Sequence, residues 1–377
     1  LEEALQQNNA EAFKDKVCYI EQIALPEPIL SPHRNEPLGW PDDAAVHAIY
    51  LQGGNSNPGR IQREVERLKN AGANGIVFDV KDIIGVVNYK SQLDVVEKYR
   101  RHPAPIIDVV KMIKYLHDND IYVIARMALF QDESLARQRP DLAIKDAGSP
   151  TGRLLTKGQP LWVDPGHQEV RDYNHALVTE LVLLGVDEIQ FDYVRYPAEG
   201  NLKQVSYHGV TSPDDKVQNI ARFLAGAHTL TSLTGTRTAI DIFGVVAWGE
   251  DLDINATGQR IEKLAPHVDV ISPMLYPSHF SKGFDRKAKP ADEPYHFLHH
   301  GVARVLEKAG SPTIVRPWLQ AFRWRVSNYN AAYIQEQIRG SDDAGGKGWM
   351  LWNAGNEYDM AFSAVTPVLR RRAVAQR

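Results

Sequence analysis

The segment DEIQFDYVRYP, residues 187–197, decides how the rest of the chain is read. It has strand composition, with Ile189, Phe191, Tyr193 and Val194 in a short apolar run. Yet Gln190, Asp192 and Arg195 sit inside it. Side chains alternate faces along a strand, so Ile189, Phe191 and Tyr193 share one side and Gln190 and Asp192 the other. One apolar side and one side that turns polar toward the C-terminal end suit the wall of a parallel barrel. Helices then cover the outside, and the polar ends gather at the mouth.

Outward from this segment the same unit recurs. Strands are expected at 45–52, 75–81, 121–130, 188–194, 238–244, 268–276, 313–322 and 348–353. Helical patterns fall between them, at 60–72, 105–120, 167–185, 213–230, 256–267, 293–310 and 330–339, with a weaker eighth at 357–365. Gly72, Gly185, Gly310 and Gly340 stand where helices end. The alternation predicts an α/β fold, a (β/α)8 TIM barrel over 45–365. An open doubly wound sheet is the rival, but LQGGNSNPGR (51–60) lacks the G-x-G-x-x-G turn after the first strand. Residues 1–44, with prolines at 26, 28, 32, 37 and 41, read as an extension packed on the barrel. Residues 366–377, with Arg370, Arg371 and Arg372, read as a basic tail.

The 377 residues are 43 % hydrophobic, ample for a large core. A net charge of −4 without a basic stripe argues against nucleic acid as a partner. No apolar run is long enough for a transmembrane segment. The single cysteine, Cys18, excludes an intramolecular disulfide framework and a cysteine-based zinc site. The chain begins at Leu1, and we expect an exported protein (periplasmic, cell-envelope or extracellular) whose targeting segment lies outside this sequence.

Period-2 alternation assigns the inward positions strand by strand. They are Val77, Asp79 and Lys81; Arg126; Gln190 and Asp192; Asp241; Ser272, Met274 and Tyr276; Arg316, Trp318 and Gln320; and Trp352 with Asn353 at the last strand end. An isolated buried carboxylate is costly, so polar ends on most strands point to one shared polar cavity. Strands four and five are neighbours, which sets Asp192 beside Asp241. Two carboxylates flanking a cleft are what glycosidic bond cleavage requires, one as nucleophile and one as proton donor. Asp79, Lys81, Arg126, Arg195, Gln320 and Asn353 are candidates for holding hydroxyls or tuning the carboxylates. Tyr193, Tyr196, Trp248, Tyr276, Trp318 and Trp352 are candidates for stacking on sugar rings. Glu250 is a reserve acid, and Glu188 begins its strand and is expected to plug the barrel floor. The HFLHH cluster (His296, His299, His300) lies within a helix and reads as a helix face, not a metal site. No metal or organic cofactor is expected.

DVKD (79–82), DEIQFDYVRYP (187–197), ISPMLYPSHF (271–280), VRPWLQAF (315–322) and GWMLWNAGN (348–356) together resemble a bacterial glycoside hydrolase family first catalogued as a domain of unknown function. The likeness runs from about residue 45 to 360. It implies a barrel similar in plan to α-amylase-like and α-galactosidase-like enzymes, whose nucleophilic aspartate ends strand four, where Asp192 stands. The α-amylase-like acid follows strand five, where this chain has Asp241, or Glu250 in the next loop. That pattern has Glu at the acid position and a His-Asp pair after strand seven; both are absent here. The expected activity is a retaining glycoside hydrolase acting on a poly- or oligosaccharide, with Asp192 as nucleophile and Asp241 as acid/base. The alternatives are a non-catalytic carbohydrate-binding barrel, or a lyase, for which Lys81 is the only strand lysine.

Overall fold

The computed structural model describes residues 35–39, 44–100, 103–199 and 201–375. Most of the expected N-terminal extension, and Cys18 with it, lies outside the described residues. Eight parallel strands form the wall: β1 (Val46–Leu51), β2 (Gly75–Lys81), β3 (Tyr122–Ala128), β4 (Glu188–Asp192), β5 (Arg237–Phe243), β6 (Val270–Met274), β7 and β8 (Gly348–Trp352). The seventh is interrupted, with Ile314–Val315 and Trp318–Gln320 as its two pieces. Proline at 317 has no N–H to donate, which accounts for the break.

Neighbours in sequence are neighbours in the sheet, and β8 pairs back to β1. The first piece of β7 pairs with β6. Trp318, in the second piece, pairs with Met274 of β6 on one side and Met350 of β8 on the other, and so closes the cylinder. This is a (β/α)8 barrel. Strand residues are buried almost throughout because helices cover the outer face and side chains fill the inner one.

The crossover helices are α1 (Pro58–Ala71), α2 (Asp94–Tyr99), α3 (Val109–His117), α4 (Glu133–Gln138), α5 (Gln168–Leu184), α6 (Pro213–Thr231), α7 (Asp251–Thr257), α8 (Ile261–Leu264), α9 (Pro294–Ala309), α10 (Ala331–Asp343) and α11 (Asp359–Ala375). Local chemistry sets their ends. Asn57 accepts from the Arg60 N–H ahead of Pro58, and Gly72 stops α1 with φ at +79°. Ser212 and Asp215 form a capping box on α6. Helix α11 runs through residues expected as a basic tail. Arg370 donates to the Asn70 carbonyl, and Arg372 pairs with Asp342, so much of that tail is the last barrel helix.

At the floor, the N-terminal end of the barrel, the described residues 35–39 are tied down. Asn35 donates to the Val110 carbonyl, and the Leu38 N–H donates to Asp187 at 2.6 Å. Inside the barrel above them, Arg316 grips both oxygens of Glu188 at 2.9 Å, and the Tyr122 hydroxyl donates to the same carboxylate at 3.2 Å. Glu188 is the floor plug its position predicts. Ala48, Ile124, Gln190, Ser272 and Met350 fill the next level, where Gln190 donates to the Ser272 hydroxyl at 3.1 Å. Among the described residues, no helix is long and apolar enough to cross a membrane.

Candidate active site

The mouth is built around one arginine. Arg126, near the end of β3, pairs through Nη1 with Asp79 of β2 and through Nη2 with Asp192 of β4. Its Nε lies 3.8 Å from Oδ2 of Asp241 on β5. Strands two to five thus deliver four inward side chains to one level, as alternation requires. Tyr50, from β1, donates to Asp79 Oδ2 at 2.5 Å. Trp318, from β7, donates its indole N–H to Asp241 Oδ1 at 2.7 Å. Trp352, from β8, stacks on Tyr50 with centroids 4.1 Å apart and lies 5.1 Å from the Arg126 guanidinium carbon.

The residue after Asp192 is held in an unusual conformation. Tyr193 has φ at +52°, the left-handed region, which costs a non-glycine residue about 1–2 kcal/mol. In that turn its N–H donates to Asp192 Oδ1 at 2.6 Å. Asp192 is therefore fixed on both oxygens, one by the guanidinium and one by the backbone. It is also the most accessible of the three carboxylates, 7 % exposed against 3 % for Asp79 and 1 % for Asp241.

Three carboxylates face one guanidinium, so the level carries excess negative charge. Burial, reinforced by the charge of Asp192, holds the Asp241 carboxyl well above the usual carboxylate range, against the opposing pull of Arg126 and the Trp318 N–H. Burial also raises Asp79, opposed by Arg126 and Tyr50. Asp241 Oδ2 and Arg126 Nε are both buried without a hydrogen-bond partner and face each other across the gap. A hydroxyl placed between them would satisfy both.

Several residues expected here are elsewhere. The ladder shifts register between Asp79 and Lys81, and this bulge turns Lys81 off the inward side. Its ammonium pairs with Asp132 at 2.9 Å and donates to Asn174 and the Leu129 carbonyl. Arg195 does not meet Asp192; it pairs with Glu199 at 3.0 Å and packs over Phe243 and Trp162. The Gln320 amide accepts from the Ser278 N–H and donates to the Phe322 carbonyl, and Asn353 donates to the Ala321 carbonyl, so both brace loops. Glu250 is exposed on the outer wall: Gly249, beside it, abuts the Lys308 ammonium on the last turn of α9, which runs back toward the floor. Trp248 packs outside on Phe280, Phe284 and Phe297, and Tyr196 is buried against Asn219. Tyr276, Trp318 and Trp352 remain as the aromatic lining, while Tyr193 packs toward Trp162 and Arg195. His296 pairs with Asp285 on the helix surface, and no group of metal-ligating side chains occurs among the described residues.

Tyr50 is the member that pattern reading missed. Its signal was its parity with Val46 and Ala48, both inward, one strand from Asp79.

A closed parallel barrel with acids at the C-terminal strand ends defines the class, a TIM-barrel protein with an enzyme-type mouth. Residues 48–358 match the family described as "Putative glycosyl hydrolase domain", and the chain belongs to that family. Among solved structures, a hypothetical protein from Ruminiclostridium thermocellum ATCC 27405 is 32 % identical over 51 % of this chain and 96 % of its own, with a TM-score of 0.45. The PgaB (BpsB) glycoside hydrolase domain from Bordetella bronchiseptica is similar at a TM-score of 0.65, with 12 % identity over 86 % of this chain and 98 % of that one. The catalytic domain of β-amylase from Paenibacillus polymyxa is similar at 0.55, with 11 % identity over 88 % and 99 %. The last two likenesses are likenesses of fold. No curated protein matches the chain.

Proposed function

We propose that the protein hydrolyses glycosidic bonds in a poly- or oligosaccharide, with Asp192 as nucleophile and Asp241 as acid/base. One observation carries this reading: two carboxylates meet one guanidinium in different electrostatic settings. Asp192 is oriented by Arg126 and the Tyr193 N–H and is the more accessible. Burial and the charge of Asp192 push the Asp241 carboxyl well above the usual carboxylate range, which favours its protonated form. Environments that push two carboxyls apart are how one site supplies both an acid and a nucleophile.

The anomeric carbon would sit over Asp192. Attack would form a glycosyl ester while Asp241 gives its proton to the leaving oxygen; water, deprotonated by Asp241, would then release the sugar. Trp352 and Tyr276 would pack against the ring. Lys81 supports no Schiff-base lyase, because Asp132 keeps its ammonium engaged.

The depth of Asp241 favours one rival within the same chemistry, in which it acts through Asp192 as a positioning residue and not as the donor. The test uses Asp241→Asn on two substrates with the same sugar. Loss on a natural glycoside with sparing of an aryl glycoside marks the donor, and equal loss on both marks the positioning role. Following the anomer first formed by NMR decides retention.

A further inference from the structure

The loops after β6 and β7 carry a feature the proposed chemistry does not use. Trp324 is 44 % exposed, a large apolar ring left in solvent. It continues a line of rings that starts inside the mouth. Tyr276 touches His279 with centroids 5.0 Å apart, and His279 meets Trp324 edge-on at 5.1 Å. Phe322 backs the line, 5.8 Å from Tyr276. Tyr276 itself lies within the field of Asp241 and Asp192. The ledge therefore runs from the carboxylates outward to the rim.

Its charge is unusual for a chain of net charge −4. Arg323 and Arg325 flank Trp324, both exposed, with the Arg325 guanidinium carbon 4.2 Å from the indole centroid. The adjoining loop adds exposed Lys282 and Arg286. The acids of this flank are engaged elsewhere: Asp285 with His296, Asp292 with Lys289 and Ser327, and Glu293 with Lys287. Arg323, Arg325, Lys282 and Arg286 have no acidic partner among the described residues. Two of these cations also sit in left-handed backbone, Arg325 at φ +56° and Arg286 at φ +63°. Glycine would adopt that geometry freely, and strain kept at a side chain points to a use for the side chain. Burial and the charge of Arg325 lower the His279 ring below its usual range, so the imidazole meets a ligand as a neutral donor and acceptor.

We propose that Arg323, Trp324 and Arg325, with His279, form an outer subsite for an anionic sugar unit, so that the substrate is a carboxylate- or sulfate-bearing polysaccharide. This rests on the glycosidase reading for the cleavage point. The indole takes the apolar face of the ring, and the guanidinium forks take the anion, with geometry that lysine does not offer. Carboxylate and sulfate share this chemistry, and the experiment separates them.

Binding is measured by calorimetry on Asp192→Asn, at low and high salt, with oligosaccharides matched in length: neutral, uronate-bearing, sulfated and amine-bearing. One or both anionic series should bind, and more weakly as salt rises. Arg323→Gln with Arg325→Gln should weaken anionic binding about ten-fold or more and flatten its salt dependence. Trp324→Ala should weaken binding of the preferred series as well. Arg325→Gly keeps the backbone geometry and should leave Tm level or higher, so that its loss of anion affinity is not a folding defect. Neutral or amine-bearing oligomers binding as tightly as the anionic ones, or affinity indifferent to the double arginine variant, would overturn the subsite. The two readings fail separately. Anionic oligomers bound through the arginines but never cleaved by the wild-type protein would sink the catalytic assignment alone. Asp192-dependent cleavage of neutral chains, unchanged by the arginine variant, would sink the subsite alone.

Discussion

Two buried guanidiniums stand inside the same barrel, Arg316 at the floor and Arg126 at the mouth, and their surroundings differ in one respect. Arg316 meets a single carboxylate, Glu188, with Nη1 2.9 Å from each of its oxygens, and Tyr122 adds a donor. That ion pair is one guanidinium to one carboxylate. Arg126 meets three carboxylates; its Nε, like that of Arg316, makes no hydrogen bond, but here a carboxylate oxygen, Asp241 Oδ2, is left without one as well. Buried charge alone therefore does not mark a site in this molecule. What separates mouth from floor is the imbalance of charge, which pushes one carboxyl well above the usual carboxylate range and leaves one of its oxygens without a hydrogen bond.

Mouth and floor should part most sharply at Asp192. Asp192→Asn should lower kcat/KM by at least ~10³-fold. Its Tm should stay level or rise, because one of the carboxylates crowded around Arg126 is gone. Retained turnover would end the assignment. Asp241→Asn should cost ~10²–10⁴-fold on natural glycosides and far less on activated ones, measured as kcat on the matched pair.

The floor should behave in the opposite way. Glu188→Gln leaves Arg316 unpaired and should destabilise folding by about 3–5 kcal/mol in denaturant titration, with activity per folded molecule unchanged. Replacing both residues with methionine should recover most of that loss. Equal damage to activity from Glu188→Gln would erase the distinction between the two levels. The smallest effect concerns pH. A carboxyl raised on folding, as Asp241 and Asp79 are, contributes its full stability below the unfolded value near pH 4 and loses it as pH climbs through the folded value. The stability of Asp241→Asn, relative to the parent, should therefore increase from pH 4 upward. A flat difference would show that Asp241 is not held protonated.

The barrel was legible because strand rhythm and helix caps are local signals. So was the inward set Asp79, Asp192, Asp241 and Trp318, since parity survives wherever a strand stays regular. Parity failed at Lys81, where the register shift after Asp79 turns the side chain toward Asp132. It was also silent about loops. Nothing local says that the chain at Trp248 and Glu250 leaves the mouth and runs down the outside against α9. Gln320 and Asn353 lie at the right ends, but their amides hold loop backbone, which depends on neighbours distant in sequence. The central place of Arg126 had the same cause: the acids around its head group come from three other strands, β2, β4 and β5, distant from it in sequence.

Trp318 has a consequence of its own. Its backbone completes the ring of strands between β6 and β8, while its indole holds Asp241 in place. One residue thus both seals the wall and holds the Asp241 carboxyl. Under the proposed chemistry, a molecule whose seam has parted at Trp318 would lose the bond that holds its acid while most of the wall still stands.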